Sequence, residues 1–182
     1  MSNATTASGS SARTIGQGLR LVKKLKGLIA EATQRATASS SWVAGRKPTF
    51  DFTEQRTKRG VMQNELVRVE AAIARANATA TITTGGVTMT LARAIRELQE
   101  IKADLAWLPS LSLRSGLEEK VEHEYDEEKG RNVLRTKSTT FEAVMSEPDR
   151  VVQVQALRDR FEAINDALET ANHRTEIEVD PK

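Results

Sequence analysis

A chain of 182 residues that is 38% hydrophobic and only 4% aromatic fits one domain. It is too poor in large apolar side chains for a thick rounded core, and favours elongated helices that each bury one stripe. The absence of cysteine excludes disulfides, thiolate metal sites and a cysteine nucleophile.

The net charge of +2 is unevenly spread. Residues 1–76 carry 13 Lys and Arg against 5 Asp and Glu, a balance of +8, whereas residues 77–182 carry 14 against 20, a balance of −6. A basic front and an acidic back point to head-to-tail or intramolecular complementarity.

Residues 1–14 are rich in Ser, Thr, Ala and Gly and read as a flexible arm. They lack the basic cluster and apolar run of a signal peptide. No stretch of the chain approaches the ~18 apolar residues of a membrane-spanning helix.

The first helix is expected from about Ala12 to Ala36. Ile15, Leu19, Val22, Leu25 or Lys26, and Ile29 alternate in steps of four and three, a heptad-like seam. Gly16, Gly18 and Gly27 weaken this helix by up to ~1 kcal/mol each, so packing must hold it. Arg20, Lys23, Lys24 and Lys26 cover the remaining surface, which could contact phosphates or anionic lipid. Burial of the seam against other helices is the plainer use.

A linker is expected over 37–50, with Ser39-Ser40-Ser41, Gly45 and Pro48. Trp42, Phe50 and the nearby Phe52 are its exceptions, either plugging the end of a bundle or anchoring a partner. The second helix, from about Thr53 to Ala76, has Asp51 as N-cap and Glu54 at capping-box spacing. Its seam is Met62, Leu66, Val69, Ile73 and Ala76. A turn from Asn77 to Val87 follows, in which Gly85-Gly86 permits a sharp reversal.

The third helix is expected to start near Thr88 or Thr90 and to reach Leu108, where Pro109 stops it. Leu91, Ile95, Leu98, Ile101, Leu105 and Leu108 form its seam, and the short loop makes it an antiparallel hairpin with the second helix. The period then changes. Val121, His123 and Tyr125 alternate with acidic residues, and Val133 to Thr140 follow a polar turn, so 117–140 reads as a two-stranded β-ribbon around Gly130. Acidic residues of its first strand can face Arg131, Arg135 and Lys137 of its second.

The fourth helix opens at Ser146-Glu147-Pro148-Asp149, with Ser146 as N-cap. Its seam is Val151 or Val154, Leu157, Phe161, Ile164, Leu168 and Ala171. Glu176 to Val179 read as a short strand.

None of this resembles an enzyme. His123 sits among acidic residues, but in a strand its neighbours point to the opposite face. His173 stands alone near a helix end. Gly85-Gly86 lacks the lysine of a phosphate loop, and Gly16-x-Gly18 follows no strand. No catalytic residue, metal or cofactor is assigned.

Two stretches carry a family likeness: Ile73-Ala74-Arg75-Ala76-Asn77 with Gly86-Val87-Thr88-Met89-Thr90-Leu91, and Ala171-Asn172-His173-Arg174-Thr175-Glu176. Together they resemble a family of small bacterial and phage proteins labelled septicolysin. Members have an asparagine before the loop, a Gly-x-Thr-led helix and a closing Ala-Asn-aromatic-x-Thr-Glu signature. His173 departs from that pattern, standing where the family has an aromatic, usually Trp. The resemblance implies a helical-hairpin fold over roughly 15–180, no catalytic residues, and a place for some members in phage particles. The haemolysin-like label implies membrane attack, for which this chain shows no inserting segment.

The expectation is therefore a mainly α protein: an antiparallel, coiled-coil-like bundle of about four helices over 15–182, with a two-stranded β-ribbon arm. Its expected role is structural, through protein partners that include further copies of itself, in the cytoplasm or a virion. The candidate contacts are Trp42, Phe50, Phe52 and Tyr125, in the regions 1–14, 37–52 and 117–140. Nucleic-acid or membrane-surface binding through Lys23, Lys24 and Lys26 is the alternative. An enzyme with an unfamiliar site would instead need a deep pocket lined by perturbed carboxylates.

Overall fold

The computed structural model describes residues 12–128 and 130–180. The fold is mainly α, with four helices and three antiparallel two-stranded sheets among the described residues. Residues 1–11 of the expected arm lie outside the described residues. Arg13 and Thr14, also assigned to the arm, belong to the fold as strand β1 (Arg13–Thr14).

Helix α1 (Ile15–Ala38) begins three residues later than the seam suggested, because Thr14 caps it. The Thr14 hydroxyl accepts from the Gln17 N–H at 3.3 Å, and the Gln17 side chain accepts from the Thr14 N–H at 3.0 Å. This reciprocal pair satisfies two otherwise orphaned donors. Helix α2 (Phe52–Thr79) starts at Asp51, whose carboxylate accepts from the Glu54 N–H at 2.7 Å. The linker between them thus runs over 39–51.

Among the helices, the most extensive close backbone packing is between α1 and α2. Lys26 reaches Glu70 at 2.8 Å, and Gly18 lies against Ile73. That close pairing had been expected between the second and third helices. Instead, α2 is followed by a β-hairpin, β2 (Thr81–Thr84) and β3 (Val87–Thr90), with Gly85 and Gly86 both at positive φ in its turn. Two successive positive φ values match the twist of the flanking strands. The buried pair Ile82 and Met89 occupies one face; on the other the Thr83 and Thr88 hydroxyls lie 2.9 Å apart. Because Val87–Thr90 is strand, α3 (Leu91–Trp107) starts at Leu91, whose N–H donates to the Ala80 carbonyl at 3.0 Å. A short 3-10 turn, Leu108–Ser110, follows at Pro109.

The ribbon consists of β4 (Gly116–Asp126) and β5 (Arg131–Phe141), paired from Gly116↔Phe141 to Asp126↔Arg131, one residue longer at its base than expected. Helix α4 (Glu147–Arg174) begins after Ser146, which exchanges hydrogen bonds with Asp149. The Ser146 hydroxyl, and then its backbone N–H, hold the Asp149 carboxyl below the usual carboxylate range. Strand β6 (Glu176–Ile177) pairs antiparallel with β1, and the Ile15 N–H donates to the Thr175 carbonyl at 2.9 Å.

The chain divides into two compact units. One takes residues up to Leu98 and from Ala163 on; the other is Gln99–Glu162. The boundary falls inside α3 and inside α4. The first unit has a core drawn from every element it contains except β1: Ile15 and Leu25, Val69 and Ile73, Ile82, Met89, Leu91, Ala94, Ile164, Leu168 and Ile177 are all buried. Arg75 of α2 holds the chain beyond β6, donating to the Asp180 carboxylate at 3.1 Å and to the Glu178 carbonyl at 3.2 Å. In the second unit only Ile101 and Leu108 are buried hydrophobics among the described residues. It is held instead by Arg150, which donates to the Leu111 carbonyl at 2.8 Å, and by Lys102 over the Phe161 ring at 5.3 Å.

Candidate interaction surface

In an antiparallel ribbon, directly opposed residues share a face and successive residues alternate. The register therefore sorts β4 and β5 into two unlike faces. On one stand Glu118, Lys120, Glu122 and Glu124 opposite Thr139, Lys137, Arg135 and Val133. This face is laced with charge. Lys120 meets Glu122 at 2.9 Å, and Arg135 meets Glu124 at 3.1 Å. Lys120, by hydrogen bond and by charge, and Lys137 by charge hold the Glu122 carboxyl below the usual carboxylate range.

The opposite face carries Leu117, Glu119, Val121, His123 and Tyr125, across from Thr140, Ser138, Thr136, Leu134 and Asn132. Its large apolar members all face water: Leu117 is 63% exposed, Val121 58%, Tyr125 62% and Leu134 66%. A two-stranded ribbon is marginally stable in water and normally needs a surface to lean on. Among the described residues these side chains stay exposed. Trp107, Val144, Val151 and Val152 of the same unit are exposed too. Among its described residues this unit has two buried hydrophobics and eight large exposed ones.

The other sequence-expected contacts separate. Phe50 is half-buried beneath the Arg35 guanidinium, 4.9 Å from its ring centre. Trp42, 60% exposed, and its neighbour Val43 stand out into water in the linker, while Phe52 at the start of α2 is exposed at its edge. Lys26 is tied to Glu70, whereas Lys23 and Lys24 are exposed with Arg20 on the outer side of α1. An open apolar groove between α1 and α2 is lined by Leu28, Ala32, Gln55, Val61 and Met62.

His123 stands on the apolar face of the ribbon while Glu122 and Glu124 stand on the charged one. Among the described residues no three of His, Cys, Asp and Glu are grouped so as to hold a metal ion. Among them, too, no helix is long and apolar enough to cross a membrane. Sequence reasoning singled out Tyr125 on this ribbon and passed over Leu117, Val121 and Leu134. The signal was present, since period-two alternation in both strands sets these residues on one side, but alternation alone does not say whether that side is covered.

No protein-family model matches the chain, and a search of curated proteins finds no match. Among solved structures, the crystal structure of a functionally unknown conserved protein from Corynebacterium diphtheriae is similar, with a TM-score of 0.66 at 15% identity. The likeness covers 92% of this chain and 100% of that one, and at such low identity it speaks for a shared fold alone.

Proposed function

We propose that this chain is a non-enzymatic structural protein that works through protein contacts inside a larger assembly. The observation that carries this reading is the second unit, which spends its large apolar residues on its surface. Such a surface is stable in water only at a cost, and a partner that covers it removes that cost. The septicolysin-like signatures make a phage particle the natural setting, as a capsid, neck or tail accessory protein. The test is the mass of the full chain in solution, alone and mixed with the components of its particle. A larger species is expected in at least one mixture; a chain that stays monomeric and binds none of them overturns the reading.

A second reading rests on the exposed cations Arg20, Lys23 and Lys24, at helical spacing on the outer side of α1. They suit phosphates of nucleic acid or anionic lipid. If they bind duplex DNA, three phosphate contacts give a slope of roughly −2.7 in log K against log salt. The double substitution Lys23→Glu, Lys24→Glu should then abolish binding. Salt-insensitive binding removes this reading.

A further inference from the structure

We propose that the apolar face of the ribbon binds the same face of a second copy of this chain, antiparallel, with Glu119 of each copy meeting His123 of the other. This rests on the reading of the chain as an interaction protein and names the partner.

The argument starts from the order of side chains along β4. Leu117, Glu119, Val121, His123 and Tyr125 stand on one face, all exposed. Val121 is the midpoint. Two residues before it is the acid of that face, and two after it the base; four before it is an apolar residue, and four after it another. A two-fold contact requires a surface that is complementary to itself, so that residue i meets j and j meets i. Turning one ribbon by a half-turn about an axis across the strands at Val121 meets that requirement. Val121 faces its own counterpart, Leu117 faces Tyr125, and the carboxylate of Glu119 faces the imidazole of His123 twice over.

The other two-fold arrangement, with the axis along the strands, lays β4 over β5. It sets His123 on Leu134 and Glu119 on Ser138, which buries an imidazole against a leucine without a polar partner and wastes the acid. An unpaired buried polar group is costly, so the antiparallel arrangement is preferred. The cations and the remaining carboxylates of the ribbon, Lys120 and Glu122 among them, point away from this contact.

The size of the face sets the strength. A standard interface buries about 800 Å² per partner over roughly 20–30 residues, so ten side chains bury on the order of 350 Å² each. That lies in the weak class, and the dimer is a concentration-dependent one, with a Kd of micromolar order or weaker. Within an assembly that holds copies side by side, such contacts gain from high effective concentration.

Sedimentation of the full chain over a concentration series tests this. Wild type is expected to shift from monomer to dimer as concentration rises. His123→Glu, by setting two carboxylates together, and Glu119→Lys, by replacing the carboxylate that pairs with the imidazole with a cation, should each weaken self-association about tenfold or more. Mixing these two variants should restore association, because the introduced lysine of one then meets the introduced glutamate of the other, and the chain bearing both substitutions should self-associate again. A folding defect cannot produce rescue by mixing. Leu134→Asp, on the opposing strand, should also dissociate the dimer. A wild type that is monomeric throughout overturns the proposal, as does association that all these variants retain. A monomeric chain that still binds another component of its particle would overturn the dimer and leave the proposed function standing.

Discussion

Replacing Leu91 by alanine is expected to destabilise the first unit by about 3 kcal/mol, in the range for emptying a close-packed leucine site. Leu91 is 0% exposed and sits where three features join. It follows β3 directly, it opens α3, and its N–H closes the hairpin base on Ala80. Its side chain is wholly buried, so truncation leaves a cavity in the core of the first unit. The midpoint of denaturant unfolding should fall with its slope unchanged. A loss below about 1 kcal/mol would mean that the site collapses freely and is not close-packed.

The second large effect is expected at Gly18. A methyl group built there would lie 2.7 Å from Ile177 Cδ1 and 3.2 Å from Ile73 Cδ1, so the glycine is the gap through which β6 and α2 both reach α1. Gly18→Val forces these isoleucines apart and should cost about 2–3 kcal/mol, the range for overpacking a filled core. Gly27 in the same helix has nothing within 4 Å of an added methyl. Gly27→Ala should therefore stabilise by roughly 1 kcal/mol, through helix propensity alone. Opposite signs from two glycines nine positions apart in one helix would separate packing from propensity. Equal effects would refute the close approach at Gly18.

The same glycine shows where the sequence was legible and where it was not. The starts of α2 and α4 were readable because their chemistry is local: Asp51 and Ser146 bond to atoms three residues away. The ribbon was readable because alternation and Gly130 are local too. The seams were harder. Reading α1 for its largest apolar residues selects Leu19, yet Leu19 is 47% exposed and the buried positions are Ile15, Gly18, Leu25, Ala32 and Ala36. In α3, Ala94 is buried and Ile95 is largely exposed, and in α4 Val151 is exposed where Val154 is half-buried. At Gly18, Ala32, Ala36 and Ala94 small residues take the buried positions. Helices that approach closely need small residues between them, and size-based reading ranks those last. The hairpin at 81–90 was missed for another reason. Thr81-Ile82-Thr83-Thr84 and Val87-Thr88-Met89-Thr90 are shorter than most strands, and only the burial of Ile82 against the core makes pairing worthwhile. The exposed ribbon face was beyond reach for the converse reason: pattern tells which side is apolar, but not that this side stays exposed among the described residues.

The pairing of β1 with β6 has a kinetic consequence. These strands come from opposite ends of the described chain, yet Ile15 and Ile177, next to and within them, are among its most buried residues. Closing so long a loop carries an entropy loss that local contacts do not repay in advance. The helices and the two hairpins can form early from neighbours in sequence, whereas this clasp waits for the ends to meet. The clasp must therefore shut last, on a body whose other parts are already in place.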